Sequence, residues 1–321
     1  MKLLSWVRIA ALCTLATSAL AQDTTPVAIG WGKYPDVPQI ALAFEKKTWA
    51  TEKLDATIVP FASGRAGFEA LIGGQLDYAV MAELPAVTGA MRNLKFSVVA
   101  VLSEYRSFRV IAKGDKPLVD LKALAGKKIA IPLGTNVHFI ISDALEAKGV
   151  TAELVNVPPS EMIPALTRGD VDAIMPFPSS YPNARRTLGA QYQEIRLPDY
   201  SSSFILVASE KATANPSLTR RVLASLVKAE GFMRDVNDAQ ESTARFVAPA
   251  MPLEAVRAAW PDYEYRVKLD QGVLDSMVRQ GKWLKAKGFV KEGEPTTALY
   301  RRWLAVEPLK AVDAARVGLT P

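Results

Sequence analysis

The chain of 321 residues holds one cysteine and one histidine. Cys13 lies in an apolar N-terminal run, so the remainder has no thiol for a disulfide, a thiolate metal site or a cysteine nucleophile. With His138 as the only histidine, a metal centre would have to rest on carboxylates, and no D-x-D-x-D-G calcium loop occurs. Gly73-Gly74 and Gly64-x-x-Gly67 match neither a G-x-G-x-x-G fingerprint nor a P-loop, and no G-x-S-x-G elbow is present. No metal and no cofactor is therefore expected. Long basic runs are missing too: 39 Lys and Arg against 33 Asp and Glu are scattered, in pairs such as Lys127-Lys128 and Arg185-Arg186. Without a basic stripe, no nucleic-acid partner is expected.

Long apolar runs are equally scarce. Lys2 and Arg8 precede the run Ile9 to Leu20, and Ala19-Leu20-Ala21 gives the small-x-small pattern cut by signal peptidase, so residues 1–21 read as a signal peptide. The run is shorter than the roughly 20 residues a permanent membrane helix needs. Leu12 stands where a lipoprotein site wants a small residue, which leaves Cys13 as part of the apolar run. The protein is accordingly expected to work outside the cytoplasm, in the periplasm. Losing Lys2 and Arg8 takes the charge balance from +6 to +4, a mild excess that suits an anionic ligand. Half the residues are apolar (49%), enough for one large or two medium α/β units without disulfides.

Strands and helices alternate. Pro26 to Trp31, Asp55 to Pro60 and Asp77 to Met81 read as strands, with helices from Pro38 to Lys47 and from Ser63-Gly64 to Ile72 between them. This order predicts a parallel sheet with right-handed crossovers. Ser97 to Leu102 and Arg109 to Lys113 flank a crossing at Ser103-Glu104-Tyr105-Arg106. A second series follows: strand Lys128 to Ile131, a helix from Thr135-Asn136 to near Gly149, strand Glu153 to Val157, a helix from Ser160 to Arg168, and strand Val171 to Met175. In both series a helix ends in a Gly-x-x-Asp step before an apolar strand, GGQLDYAVMA at 73–82 and RGDVDAIMPF at 168–177. Two half-units with a cleft between them are the result. Phe204 to Ala208 reads as the returning strand, and the sequence beyond it as mostly helical, including 218–236, 254–259, 270–287 and 296–304.

Ligands of open parallel sheets bind beyond the carboxyl ends of the strands, where helix N-termini face outward. Here those ends are Trp31-Gly32-Lys33-Tyr34, Ala62-Ser63-Gly64-Arg65, Ala82-Glu83-Leu84-Pro85, Leu133-Gly134-Thr135-Asn136 and Pro176-Phe177-Pro178-Ser179. Ser63, Thr135, Asn136 and Ser179 each read either as ordinary N-caps or as parts of turns whose free N–H groups hold an anion. Arg65, in a first helical turn, opposes the dipole; it is a solvated surface residue or a cation that reaches for a carboxylate or sulfonate. Arg106 and Arg109 carry the same two readings, with Arg106 the better cleft candidate because it lies in the turn. Trp31, Tyr34, Phe177 and Tyr181 supply aromatic walls or core. Glu83, an acid at a strand end, is expected to pair with an arginine or to accept a hydrogen bond from the ligand. His138 reads as a half-buried helix residue rather than a general base.

Taken together, YPDVPQIALAFEKK, ALIGGQLDYAV, DLKALAGKKIAIPLGTNVHF and ALTRGDVDAIMPF resemble the nitrate, sulfonate and taurine branch of bacterial ABC-transporter substrate-binding proteins. The resemblance implies an α/β type II periplasmic-binding-protein fold: two α/β lobes with a ligand cleft between them, joined by two strand crossings. Residues 22–106 with 204–321 would form the first lobe and 107–203 the second. It also implies capture of a small organic anion, delivery to an ABC permease by cleft closure, and a monomer. Carried over by position, the cleft-lining residues are Trp31, Tyr34, Ser63, Gly64, Arg65, Glu83, Thr135 and Asn136. Where many relatives have a Ser or Thr-rich turn, this chain has Ala82-Glu83-Leu84-Pro85, which speaks against a simple alkanesulfonate, and Arg65 with the nearby aromatics tilts the expected ligand toward a larger anion such as an aromatic carboxylate or sulfonate. Two other readings stay open: a receptor feeding a sensor, and an enzyme, since similar folds serve thiamine-pyrimidine and menaquinone biosynthesis. The pyrimidine synthases of that group use a cysteine-rich motif that is absent here.

Overall fold

The computed structural model describes residues 24–249 and 251–319; the expected signal peptide lies outside them. Twelve strands occur among the described residues: β1 (Thr25–Gly30), β2 (Leu54–Val59), β3 (Tyr78–Ala82), β4 (Phe96–Tyr105), β5 (Phe108–Lys113), β6 (Lys128–Ile131), β7 (Glu153–Asn156), β8 (Ala173–Ile174), β9 (Tyr192–Leu197), β10 (Ser202–Ser209), β11 (Tyr263–Asp270) and β12 (Val317–Gly318). They form a seven-stranded sheet in the order β12-β11-β4-β10-β3-β1-β2 and a five-stranded sheet in the order β7-β6-β8-β5-β9. The result is two α/β lobes. Helices cover the sheets on both faces, which is why β4 is buried along almost its whole length and reads as a continuous apolar run.

The strand–helix alternation produces the expected parallel pairs, β1 with β2 and β3, and β6 with β7 and β8. Pro38 opens the helix Pro38–Glu45 at its first position, where its missing N–H costs nothing. The two Gly-x-x-Asp steps do the same thing in each lobe. Asp77 accepts the N–H of Ala28 in β1 at 3.0 Å, and Asp172 accepts the N–H of Lys128 in β6 at 2.9 Å. That backbone donor, ahead of Lys127, holds the Asp172 carboxyl below its ordinary range. Each aspartate pins the start of its own strand to the neighbour already laid down, so the repeated sequence step is a repeated structural clamp.

The sheets are mixed rather than purely parallel. Strand β10 runs antiparallel to β3 and β4, β11 antiparallel to β4, and β5 antiparallel to β8 and β9. The reason lies in the crossings. β1 and β3 end at the cleft, whereas β10, coming back from the other sheet, begins there and must run the opposite way; β5 does likewise in the second lobe. Other differences are local. The segment Glu83–Met91 is a helix rather than a turn, the helix expected over 218–236 ends at Gly231 as Pro216–Gly231, and a further helix that the sequence did not suggest, Val236–Val247, follows it, capped by Asp235. The predicted cap at Ser160 is not used, since the helix there starts at Met162. Strand β11, not foreseen in the mostly helical tail, fills the stretch between the helices expected at 254–259 and 270–287. No helix among the described residues is long and apolar enough to cross a membrane.

Candidate functional site

The carboxyl ends of β1, β2, β3, β6 and β8 converge between the lobes. Trp31, Tyr34, Ser63, Gly64, Arg65, Thr135, Asn136 and Phe177, all expected at the site, line one cleft there. The enclosed space is about 50 Å³. That is room for a few water molecules.

Two helix N-termini face into this cleft from opposite lobes. In the first, the Ser63 hydroxyl accepts the N–H of Ala66 at 3.2 Å and caps the helix Gly64–Ile72. The N–H groups of Gly64 and Arg65 keep no partner within that helix. Gly64 is required by contact: a Cβ there would sit 2.5 Å from Cβ and 2.9 Å from Cα of Met81, so the helix start could not approach β3. In the second, Thr135 occupies the cap position of the helix Asn136–Ala147, but its hydroxyl donates backward to the Pro132 carbonyl at 2.7 Å instead of capping. The Asn136 and Val137 N–H groups therefore have no intrahelical partners, and Asn136 lines the same cleft. Gly134 has a positive φ of 75°, the backbone state glycine adopts freely, and its N–H is accepted by His138 Nδ1 at 3.3 Å.

Arg65 joins the two ends. Its Nε pairs with Glu69 at 2.9 Å, the acid four residues on, which offsets a cation in a first helical turn. Its Nη1 donates to the Leu133 carbonyl of the other lobe at 3.2 Å. The side chain is half exposed, 52%, and borders the cleft on one side and a second groove on the other.

Two expected site residues lie elsewhere. Arg106 is 61% exposed and pairs with Glu104 and Glu264 on the surface, because its turn points outward from the end of β4. Glu83 is wholly buried behind the cleft wall, where its carboxylate accepts from Ser202 Oγ (2.7 Å), the Ser203 N–H (2.8 Å) and Ser276 Oγ (3.1 Å). It pairs with no arginine among the described residues. Its influence is indirect: Asn136 Nδ2 donates to Ser202 Oγ at 3.2 Å, so Glu83 orients through one serine a residue that does line the cleft. Arg109 spans the crossing, bonded to Asp262 at 2.9 Å and Glu194 at 3.5 Å, and stands over the Tyr181 ring. His138 lies in the second groove against Trp283 and Phe289, where burial lowers its pKa to about 4 and keeps the ring neutral.

Sequence reasoning missed five lining residues, Asp36, Val80, Met81, Phe204 and Tyr263. Asp36, 5% exposed, accepts the Trp31 indole N–H at 3.0 Å. Burial pushes its carboxyl up to about 7, against the lowering effect of Trp31 and of the backbone N–H groups of Asp36 and Val37. Tyr263 belongs to an aromatic group with Tyr105, Tyr265 and Phe204, and burial, then the Asp36 carboxyl, hold its phenol well above the ordinary range. The alternation of Tyr263, Tyr265, Val267 and Leu269 was the available signal for β11. Trp31 is largely core: it stacks on Phe246, and its N–H is committed to Asp36. Among the described residues no group of His, Cys, Asp or Glu is placed to hold a metal ion.

Known proteins are similar to this chain in sequence and in fold. A binding protein of Brucella abortus (strain 2308) is 28% identical over 294 residues, which cover 88% of this chain and 83% of that protein. The taurine-binding periplasmic protein of Escherichia coli (strain K12) is 27% identical over 168 residues, 51% of each chain. The alkanesulfonate-binding protein SsuA of Xanthomonas axonopodis pv. citri, solved bound to MOPS, superposes with a TM-score of 0.73 at 18% identity, covering 88% of this chain and 99% of that one. Its likeness is one of fold. The profile of NMT1/THI5-like proteins matches residues 35–238, well over half the sequence, and the chain thus belongs to the NMT1/THI5-like family, with the two-lobed fold of periplasmic binding proteins.

Proposed function

We propose that the protein is a periplasmic solute-binding protein that captures a small organic anion with an aromatic or unsaturated part and presents it, in the closed form, to the permease of an ABC importer. The observation that carries this reading is the convergence of two helix N-termini, at Gly64-Arg65 and at Thr135-Asn136, on one cleft from opposite lobes. Each offers uncommitted N–H groups and the positive end of a helix dipole, which bind an oxyanion without a formal charge. Tyr34, Phe177, Phe204 and Tyr263 give the cleft flat walls that suit a ring. The relatives named for binding taurine and alkanesulfonates support the anionic class.

In this reading residues 22–106 and 204–321 move as one lobe against 107–203. Closure is a population shift driven by contacts that form only when both lobes meet the ligand. The protein acts as a monomer and needs no covalent step; His138 is turned to the opposite groove, and the Ser63 hydroxyl is committed as a cap. Calorimetric titration with alkanesulfonates, arylsulfonates, aryl carboxylates and nitrate tests this. An arylsulfonate or aryl carboxylate is expected to bind most tightly. Binding confined to neutral or cationic compounds would contradict the proposal.

A further inference from the structure

A carboxyl group in the wall of an anion-binding cleft needs a reason. Asp36 has one side-chain partner, the Trp31 N–H, and no ion pair among the described residues. Its ionisable neighbours are Tyr34, Tyr263 and Tyr265, whose phenols it holds up, and none of them is cationic. The Tyr265 hydroxyl donates to the Pro35 carbonyl, Tyr34 makes a long contact to the Ala62 carbonyl, and the Tyr263 hydroxyl has no protein partner among the described residues. Behind the carboxyl, the Ser103 hydroxyl donates to the Asp36 carbonyl and fixes the backbone. An acid so placed repels a purely anionic ligand. It favours one that brings a donor of its own.

We infer that Asp36 determines specificity by accepting a hydrogen bond from the ligand, so that the protein selects acids whose ring also carries an amine or an N–H group. This rests on the anion-capture reading above. The two helix N-termini hold the anionic group, the aromatic walls hold the ring, and Asp36 reads the donor. A ring without the donor meets the carboxyl without adding a hydrogen bond to those it takes from Trp31 and from the backbone of Asp36 and Val37. One with a hydroxyl or amine there adds that bond.

Matched pairs test the inference: 4-aminobenzenesulfonate against benzenesulfonate, and 4-aminobenzoate against benzoate, titrated calorimetrically into the wild type, Asp36→Asn and Asp36→Glu. Wild type is expected to prefer the aminated member of a pair at least tenfold. Asp36→Asn, which turns a donor toward the amine, is expected to reduce the preference below threefold. A purely structural role for Asp36 would weaken both members of a pair equally and leave their ratio unchanged, and that result overturns the inference. So does a wild type that binds both members of each pair within threefold, a readout that needs no variant to fold. Either outcome leaves anion capture standing; failure of all four compounds while an alkanesulfonate or nitrate binds overturns the inference alone, and failure of every anion overturns the anion reading with it.

Discussion

The turn after β2 and the turn after β6 stand opposite each other and present the same feature, a helix N-terminus, by different means. Ser63 caps its own helix and Gly64 lies hard against the backbone of β3, so the first turn is held by local chemistry and steric contact. In the second, the Thr135 hydroxyl is turned to Pro132, the Gly134 N–H rests on a buried neutral histidine, and the Gly134 backbone needs a positive φ. Arg65 lies over Gly134 and bonds Leu133, so the second turn is also held by a side chain from the first. The lesson is that one binding feature can be built on a rigid support in one lobe and on a titratable, contact-dependent support in the other.

Acid should break this symmetry most. The His138 pKa is about 4 in the folded chain and near 6.5 when unfolded, so the unfolded state binds the extra proton in that window. Stability from this group is fully present above pH 6.5 and declines as pH falls toward 4, by up to roughly 3 kcal/mol at about 1.4 kcal/mol per unit. Urea unfolding at a series of pH values should show this decline in the wild type and a shallower one in His138→Asn. Equal slopes would remove His138 as the second turn's weak point.

Substituting the turn glycines should sharpen the contrast. Gly64→Ala forces the Met81 backbone to move and is expected to destabilise by roughly 1–3 kcal/mol. Gly134→Ala meets the flexible end of Arg65 at 2.7 Å and carries the left-handed penalty of about 1–2 kcal/mol. Removing Arg65 first should shrink the second loss and leave the first unchanged, a coupling that a double-mutant cycle measures directly.

The arginines differ in what they touch. Arg65→Ala should weaken anion binding about tenfold, close to 1.5 kcal/mol, because it removes both a ligand-facing cation and an inter-lobe hydrogen bond. Its effect on stability should stay below about 1 kcal/mol, as for other exposed pairs. Arg106→Ala should leave affinity unchanged by calorimetry. A smaller effect is expected for Ser63→Ala, about 1 kcal/mol of helix stability, with faster amide exchange at Ala66. Thr135→Ala should leave exchange at Val137 and His138 as it was.

Much of this is legible in the amino-acid order, and the exceptions have physical causes. Periodicity reports local structure, so the alternating elements, the proline-led helix Pro38–Glu45 and the paired aspartates Asp77 and Asp172 can be read directly. So can the turns that meet at the cleft, because strand ends and caps are local features. Glu83 could not be placed this way: its partners Ser202, Ser203 and Ser276 lie 119, 120 and 193 residues away, and only the fold brings them together. Asp36 looks like an ordinary acid in a Pro-Asp turn until Tyr263 and Tyr265 of β11, more than two hundred residues on, bury it. Arg106 shows the converse, where a position at a crossing between sheets faces solvent because its own neighbour Glu104 holds it there.

Amide hydrogen exchange at the two helix starts, measured with and without a saturating arylsulfonate or aryl carboxylate, tests the central claim most directly. Slower exchange at Gly64 and Arg65 together with Asn136 and Val137 is the predicted result, since one anion held by both lobes must cover both sets of N–H groups. Protection at one turn alone, or at neither while the ligand is bound, would contradict it.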